Sequence, residues 1–281
     1  MLTAGSKYAQ RSKLLIGFCP SILVVKFKKV ALITGGGSGL GKEIALRFLE
    51  RGYSVVISYN TSVRSANLLL DWAAEHSDME AASIKADLTR DDDRRKLLDL
   101  ALSKFGTVDV LVNNAGLGGG QMSIDEITEE NWDRMMYVNV KVPFFLSRSI
   151  AKIMFEQGRG KIINITSVVG QRQFQALKGG IHYSVSKAAL AHLTKSMALV
   201  YAPKVQINAI ALGYMEHRME SGREKHGERT PEMVRDLVSM IPAGRLGQGA
   251  ELAELCLFLS SAEADYITGQ TVGMDGGMSL V

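Results

Sequence analysis

From Lys28 onward, short apolar runs rich in β-branched residues alternate with longer stretches whose apolar positions recur at helical spacing. Runs at 28–34 (KVALITG), 53–58, 81–86, 108–113 (VDVLVN), 160–166 (GKIINIT), 205–210 and 270–274 read as strands. Helical patterns fill 40–51, 63–75, 91–105, 129–157, 182–200 and 249–260, with a less regular stretch over 214–240. Because the strand runs are apolar on both faces of the pleat, they predict a parallel sheet covered by helices on both sides. The expected fold is α/β, a doubly wound seven-stranded parallel sheet. No internal repeat and no Pro/Ser-rich hinge divides it, so one domain is expected. In such a sheet ligands bind beyond the carboxyl ends of the strands, and the loops that follow the strands are where function is sought.

Composition fits this picture: 281 residues, 46% hydrophobic and 22% charged, suit one large core. Cys19 and Cys256 are the only cysteines, which excludes a disulfide framework, and the five histidines show no metal-ligand spacing, so no metal is expected. The net charge of +4 is uneven. Residues 1–42 hold seven Lys/Arg and no acid, and taking those seven from the 33 basic residues leaves 26 against 29 acids in the remainder. The body is mildly acidic, and no nucleic-acid partner is expected. Residues 1–27 form a basic and apolar extension in which Lys7, Arg11 and Lys13 precede an apolar run that Pro20 interrupts. Three readings stay open for it: a start lying outside the native chain, a processed targeting segment, or a structural arm. The run is too short to span a bilayer, so no stable membrane insertion is expected, and cytoplasmic residence is the default.

The first strand leads into TGGGSGLGKEIALRF (34–48), a glycine-rich turn that opens an amphipathic helix. Gly35, Gly39 and Gly41, with Ser38 and Leu40 between them, let the backbone approach a pyrophosphate at the helix N-terminus, where free N–H groups and the helix dipole favour an anion. At the end of the second strand an acid would bind the ribose 2′-hydroxyl. Here Tyr59, Asn60, Thr61 and Arg64 stand instead, with no acid among them. Hydroxyls and a guanidinium suit a 2′-phosphate, so NADP(H) is favoured over NAD(H).

In IHYSVSKAAL (181–190), Tyr183 and Lys187 stand four apart and share a helix face. That spacing alone is common. Together with TGGGSGLG, Asp87–Leu88 after the third strand and NNAG at 113–116, in this order, it resembles the short-chain dehydrogenase/reductase family from about residue 28 to the C-terminus. The resemblance implies a Rossmann-type fold. It also implies adenine contacts from Asp87 and Leu88, a wall along the adenosine ribose from Asn113, Ala115 and Gly116, and a loop contact from Gly213. Asn139 matches the family's water-holding asparagine, and Ser167 the serine that hydrogen-bonds the substrate oxygen. Tyr183 is then the proton donor or acceptor, and Lys187 holds the nicotinamide ribose. A free tyrosine titrates near 10, too high for a base. The Lys187 ammonium and an oxidised nicotinamide are expected to bring it down.

Two departures from the family pattern stand out. Ser167 and Tyr183 are 16 residues apart, which enlarges the loop at 168–181, and ALGYMEH places Leu212 and His217 where the family has proline and threonine. The stretch 214–240 resembles a substrate lid. Its Glu216, Glu220, Glu224, Glu228 and Glu232, interleaved with bases, read mainly as a solvated charged face. The expected function is an NADP(H)-dependent oxidoreductase interconverting a ketone and a secondary alcohol. Its C-terminal segment resembles the 3-oxoacyl-[acyl-carrier-protein] reductase branch, which implies an acyl-thioester substrate, and also sugar dehydrogenases such as glucose 1-dehydrogenase, which imply a small sugar. A sensor or scaffold without turnover is the alternative of another class, and a homotetramer is the family's usual assembly.

Overall fold

The computed structural model describes residues 28–118, 122–171, 179–216 and 230–280. Seven strands form one fully parallel sheet: β1 (Val30–Ile33), β2 (Ser54–Tyr59), β3 (Ala81–Lys85), β4 (Val110–Asn113), β5 (Gly160–Ser167), β6 (Val205–Leu212) and β7 (Thr271–Met274). Their order is β3-β2-β1-β4-β5-β6-β7. The chain winds outward from β1 to β3, then returns to the other side of β1 and winds outward again to β7. This reversal puts a crevice between the loops that follow β1 and β4. The helices are α1 (Gly39–Glu50), α2 (Val63–Ala74), α3 (Asp91–Phe105), α4 (Glu129–Met136), α5 (Val142–Glu156), α6 (Ile181–Tyr201), α7 (Pro231–Ser239) and α8 (Gly249–Leu259). The boundaries lie within about two residues of those read from the apolar pattern, except in the segment expected as one helix over 129–157.

Alternate residues of each strand feed opposite layers, as the pleat requires. Ala31, Ile33, Val55, Ile57 and Val112 pack against Ile44, Phe48, Leu252 and Cys256 of α1 and α8. Val30, Leu32, Val56 and Leu111 pack against Leu97, Leu146, Ile150 and Met197 of α3, α5 and α6. Both layers are dry, which is why the strands read as continuous apolar runs. No helix among the described residues is long and apolar enough to cross a membrane.

The expected helix over 129–157 is broken by a π-helical turn at Tyr137–Lys141 between α4 and α5. Pro143 accounts for the break. It lacks the N–H that an α-helix would pair with the carbonyl four residues back, that of Asn139, and its ring crowds that carbonyl. The chain widens by a residue instead, a form often found at functional positions.

A buried polar chain ties α6 to the sheet through the second layer. Asn113 Nδ2 donates to Ser147 Oγ and to Asn164 Oδ1, both at 2.8 Å, and Asn164 Nδ2 donates to Thr194 Oγ1 at 2.9 Å. All four residues are at most 3% exposed. Asn164→Ala removes one acceptor from Asn113 Nδ2 and the donor to Thr194 Oγ1 in a low-dielectric interior. It is expected to cost about 3 kcal/mol in the urea unfolding midpoint, whereas an exposed Asn60→Ala costs less than about 0.5.

Candidate active site

The turn between β1 and α1 is shaped by what can approach it. Gly35 and Gly39 hold φ of +65° and +52°. A Cβ at Gly41 would fall 2.2 Å from the Gly35 carbonyl oxygen, so only glycine lets the first turn of α1 close onto the loop. Across the crevice, Thr34 Oγ1 accepts from the Asn114 and Ala115 amides, both at 3.0 Å, and Asn114 Nδ2 donates to the Thr34 and Gly35 carbonyls at 3.0 and 3.3 Å. These bonds stitch the loops after β1 and β4 together. Sequence reasoning passed over Thr34 and Asn114 in favour of the glycines. A usable signal was present, since a hydroxyl and an amide on the last turns of dry strands must find partners.

The remaining cofactor candidates rim the same crevice. Ser38 and Ser62, which precede α1 and α2, are joined at 3.1 Å between their hydroxyls. Tyr59 ends β2, with Asn60, Thr61 and Arg64 exposed beyond it. Leu40 packs against the first core layer, and Gly213 packs against Asp275 at the ends of β6 and β7. Asp87 Oδ1 is turned onto Thr89, accepting from its amide at 3.0 Å and its hydroxyl at 2.7 Å, and the Leu88 carbonyl accepts from Arg94. Asn113 departs from its expected place on the ribose wall. Its side chain points away from the crevice into the polar chain beneath the sheet, which leaves only its backbone for that wall.

The four catalytic candidates converge at the ends of β4 and β5. Ser167, the last residue of β5, is 8% exposed; its Oγ lies 3.3 Å from the Leu212 carbonyl and hydrogen-bonds the Tyr183 side chain. Lys187 is 6% exposed and donates from Nζ to the Ile165 carbonyl at 3.0 Å. That nitrogen sits 5.7 Å from the centroid of the Tyr183 ring. Asn139, in the π turn, accepts at Oδ1 from Leu117 N at 2.8 Å and donates from Nδ2 to Leu117 O and Ser186 Oγ, both at 3.0 Å. Gly116 closes the group, since a Cβ there would lie 3.2 Å from Asn139 Oδ1 and 3.5 Å from Lys187 Nζ. His217, Gly119, Gly120, the loop core at 172–178 and the lid stretch 217–229 lie outside the described residues.

The titration of the pair differs from expectation. Burial raises the Tyr183 phenol above its ordinary value, opposed only in part by the hydrogen bond from Ser167. Lys187 is itself pushed down to about 8 by burial. An ammonium short of partners and out of water loses charge before it can lower a neighbour.

Comparison with known proteins places this geometry. A family model described as enoyl-(acyl carrier protein) reductase matches residues 35–279. The chain is 34% identical over 254 residues to the 3-oxoacyl-[acyl-carrier-protein] reductase FabG of Thermotoga maritima, covering 90% of this chain and 98% of that one. It is also 34% identical over 254 residues to glucose 1-dehydrogenase 2 of Bacillus subtilis, covering 90% and 95%. Its fold matches a short-chain dehydrogenase/reductase from Serratia marcescens BCRC 10948 with a TM-score of 0.81 at 30% identity, over 90% of this chain and 99% of that one. The chain belongs to the short-chain dehydrogenase/reductase family. It is therefore an oxidoreductase that acts on CH–OH groups with a nicotinamide dinucleotide of the NAD(P) type. The glycine turn fits that coenzyme, because Gly41, where a Cβ would strike the Gly35 carbonyl oxygen, lets the N-terminus of α1 close onto a turn of bare backbone, a setting that suits a diphosphate.

The depressed Lys187 pKa has a signed consequence. An unfolded lysine titrates near 10.5 and the folded one near 8, so the unfolded chain binds the extra proton between those values and stability rises with pH across them. Below pH 8 the folded protein carries the full cost of a buried ammonium. Lys187→Met is expected to change stability more favourably at pH 7 than at pH 10, by about 2 kcal/mol between the two pH values in urea unfolding. An equal effect at both pH values contradicts this assignment.

Proposed function

We propose that this short-chain dehydrogenase/reductase is an NADP(H)-dependent enzyme interconverting a ketone and a secondary alcohol, with 3-oxoacyl thioesters as its substrate class. The observation that carries the reaction is the convergence of Ser167, Tyr183, Lys187 and Asn139 around Gly116 at the ends of β4 and β5. The bound coenzyme supplies the hydride acceptor or donor. The glycine turn and α1 N-terminus bind its pyrophosphate, while Asp87, Leu88, Ala115, Gly116 and Gly213 line its path. Ser167 orients the substrate oxygen, and Tyr183 gives it a proton in reduction or takes one in oxidation. Lys187, released from Ile165 or sharing that bond, holds the nicotinamide ribose. The charge of an oxidised nicotinamide then favours the phenolate that burial alone opposes. The Asn139 carboxamide is committed to Leu117, Ser186 and the Met135 sulfur. Its backbone carbonyl, which Pro143 cannot pair in α-helical fashion, is the group that holds the relay water.

Preference for the 2′-phosphate rests on the end of β2. No acid stands at 58–64, and Arg64 sits exposed on the first turn of α2 with no hydrogen bond or ion pair among the described residues. Apolar side chains exposed on α5 and α6, namely Phe155, Val185, Leu199 and Val200, favour self-association, and a homotetramer in the cytoplasm is the state proposed.

The equal likeness to glucose 1-dehydrogenase 2 supports a second substrate reading, a small sugar. One panel separates them: acetoacetyl thioester, simple ketones and glucose, each with NADPH/NADP and NADH/NAD. Thioester reduction with NADPH is expected to dominate, and Tyr183→Phe is expected to lower kcat by about 100-fold or more with the coenzyme still bound. Undiminished turnover in that variant would refute the role given to Tyr183. Arg64→Ala is expected to raise KM for NADPH about tenfold and leave KM for NADH unchanged. A wild-type enzyme that prefers NADH overturns the reading of Tyr59 to Arg64.

A further inference from the structure

Ser186 stands beside Lys187 on α6, is fully buried, and has no part in the reaction as described. Its hydroxyl is nevertheless bound on both sides: Oγ donates to the Tyr183 carbonyl at 2.7 Å and accepts from Asn139 Nδ2 at 3.0 Å. Chemistry fixes both directions, since a carbonyl only accepts and an amide nitrogen only donates. The Asn139 amide cannot be flipped either. Leu117 N must donate to Oδ1, and Leu117 O must accept from Nδ2. A continuous chain of hydrogen bonds therefore runs from the loop after β4, through Asn139 and Ser186, to the backbone of Tyr183.

The loop end of that chain also packs beside Lys187. Gly116, the neighbour of Leu117, approaches both Asn139 Oδ1 and Lys187 Nζ closely enough that an added Cβ would sit 3.2 and 3.5 Å from them. Serine hydroxyls inside helices commonly bond back to a carbonyl three or four residues earlier and need nothing more. Here the oxygen also accepts a hydrogen bond from another element, the π turn that carries Asn139. We infer that Ser186 is a positioning residue. Through Asn139 it holds the Gly116–Leu117 segment at a set distance from Lys187, with the Tyr183 carbonyl as the anchor that orients its hydroxyl.

The inference rests on the proposed roles of Tyr183 and Asn139 where turnover is concerned, so its first readout is independent of turnover. Amide hydrogen exchange is measured on the full-length protein without substrate. In Ser186→Ala the Leu117 amide is expected to exchange about tenfold faster, while amides of α1 and β6 stay within about twofold of wild type. No change at Leu117, or the same acceleration throughout the protein, overturns the inference. In turnover, Ser186→Ala is expected to lower kcat about tenfold with substrate KM within about twofold. Placed on an Asn139→Ala background, the same substitution is expected to cost less than about twofold, because its route of action is already gone. Losses that multiply in the double variant overturn the inference. A wild-type protein that turns over nothing in the panel defeats the proposed function instead, and the Leu117 amide still decides the role of Ser186.

Discussion

One hydroxyl holds the two halves of this protein in register. Thr34 Oγ1 accepts from two consecutive amides, those of Asn114 and Ala115, at the point where the sheet divides between β1 and β4. Everything bound in the crevice depends on the relation between those two loops. On one side, the Asn114 carboxamide fixes the Gly35 carbonyl against which Gly41 packs, and this aims the N-terminus of α1. On the other, Ala115 leads directly to Gly116 and Leu117, which meet Asn139 and Lys187. The proposed coenzyme cradle and the proposed proton-transfer group are thus set by the same seam. A shift there would move the diphosphate site and the chemistry together rather than loosen either alone.

The site is costly to fold. Lys187 and Tyr183 are both taken out of water, and each is pushed toward its neutral form. An apolar pair in the same place would be more stable in the free protein. The cost falls where the scaffold is strongest. β5 and β6 pair along eight consecutive residues, and α6 is pinned beneath them by the Asn113–Asn164–Thr194 chain. Stability is drawn from dry sheet and buried hydrogen bonds, and it holds two ionisable side chains where the charge of the proposed coenzyme would change their protonation. This is the usual relation between a rigid fold and a strained site.

Most of this fold was legible in the sequence, for a physical reason. A parallel sheet covered on both faces needs apolar residues at every strand position, so VALI, VVIS, VLVN and KIINIT announce themselves without any partner being known. Tyr183, Lys187, Ser167 and Asn139 were likewise named from motif order, and the structure brings them together. What the pattern could not carry was direction and exchange. Asn113 sits in the NNAG motif, yet its side chain faces the layer below the sheet, because the last residue of β4 points opposite to the loop that follows. The pKa of Tyr183 was read from the charge of a neighbour, whereas burial, a property of the whole packed layer, decides its sign in the free protein. Ser186 stands between Tyr183 and Lys187 in the sequence. Its role depends on a bond to a residue 47 positions earlier, which no local spacing records.

The broken helix shows how a single backbone feature can be both a misfit to the pattern and the reason a site exists. Apolar spacing over 129–157 runs on unbroken, because side-chain periodicity responds only slightly to one extra residue in a turn. Pro143 is the sole local sign, and near a helix start a proline is ordinarily harmless. Four residues after Asn139 it is not harmless, since it removes the N–H that would otherwise close on the Asn139 carbonyl and forces the turn to widen. Widening turns Asn139 inward, where its carboxamide reaches Leu117 on one side and Ser186 on the other. The position of the asparagine is therefore set less by its own neighbours than by a missing hydrogen-bond donor one turn further along the chain.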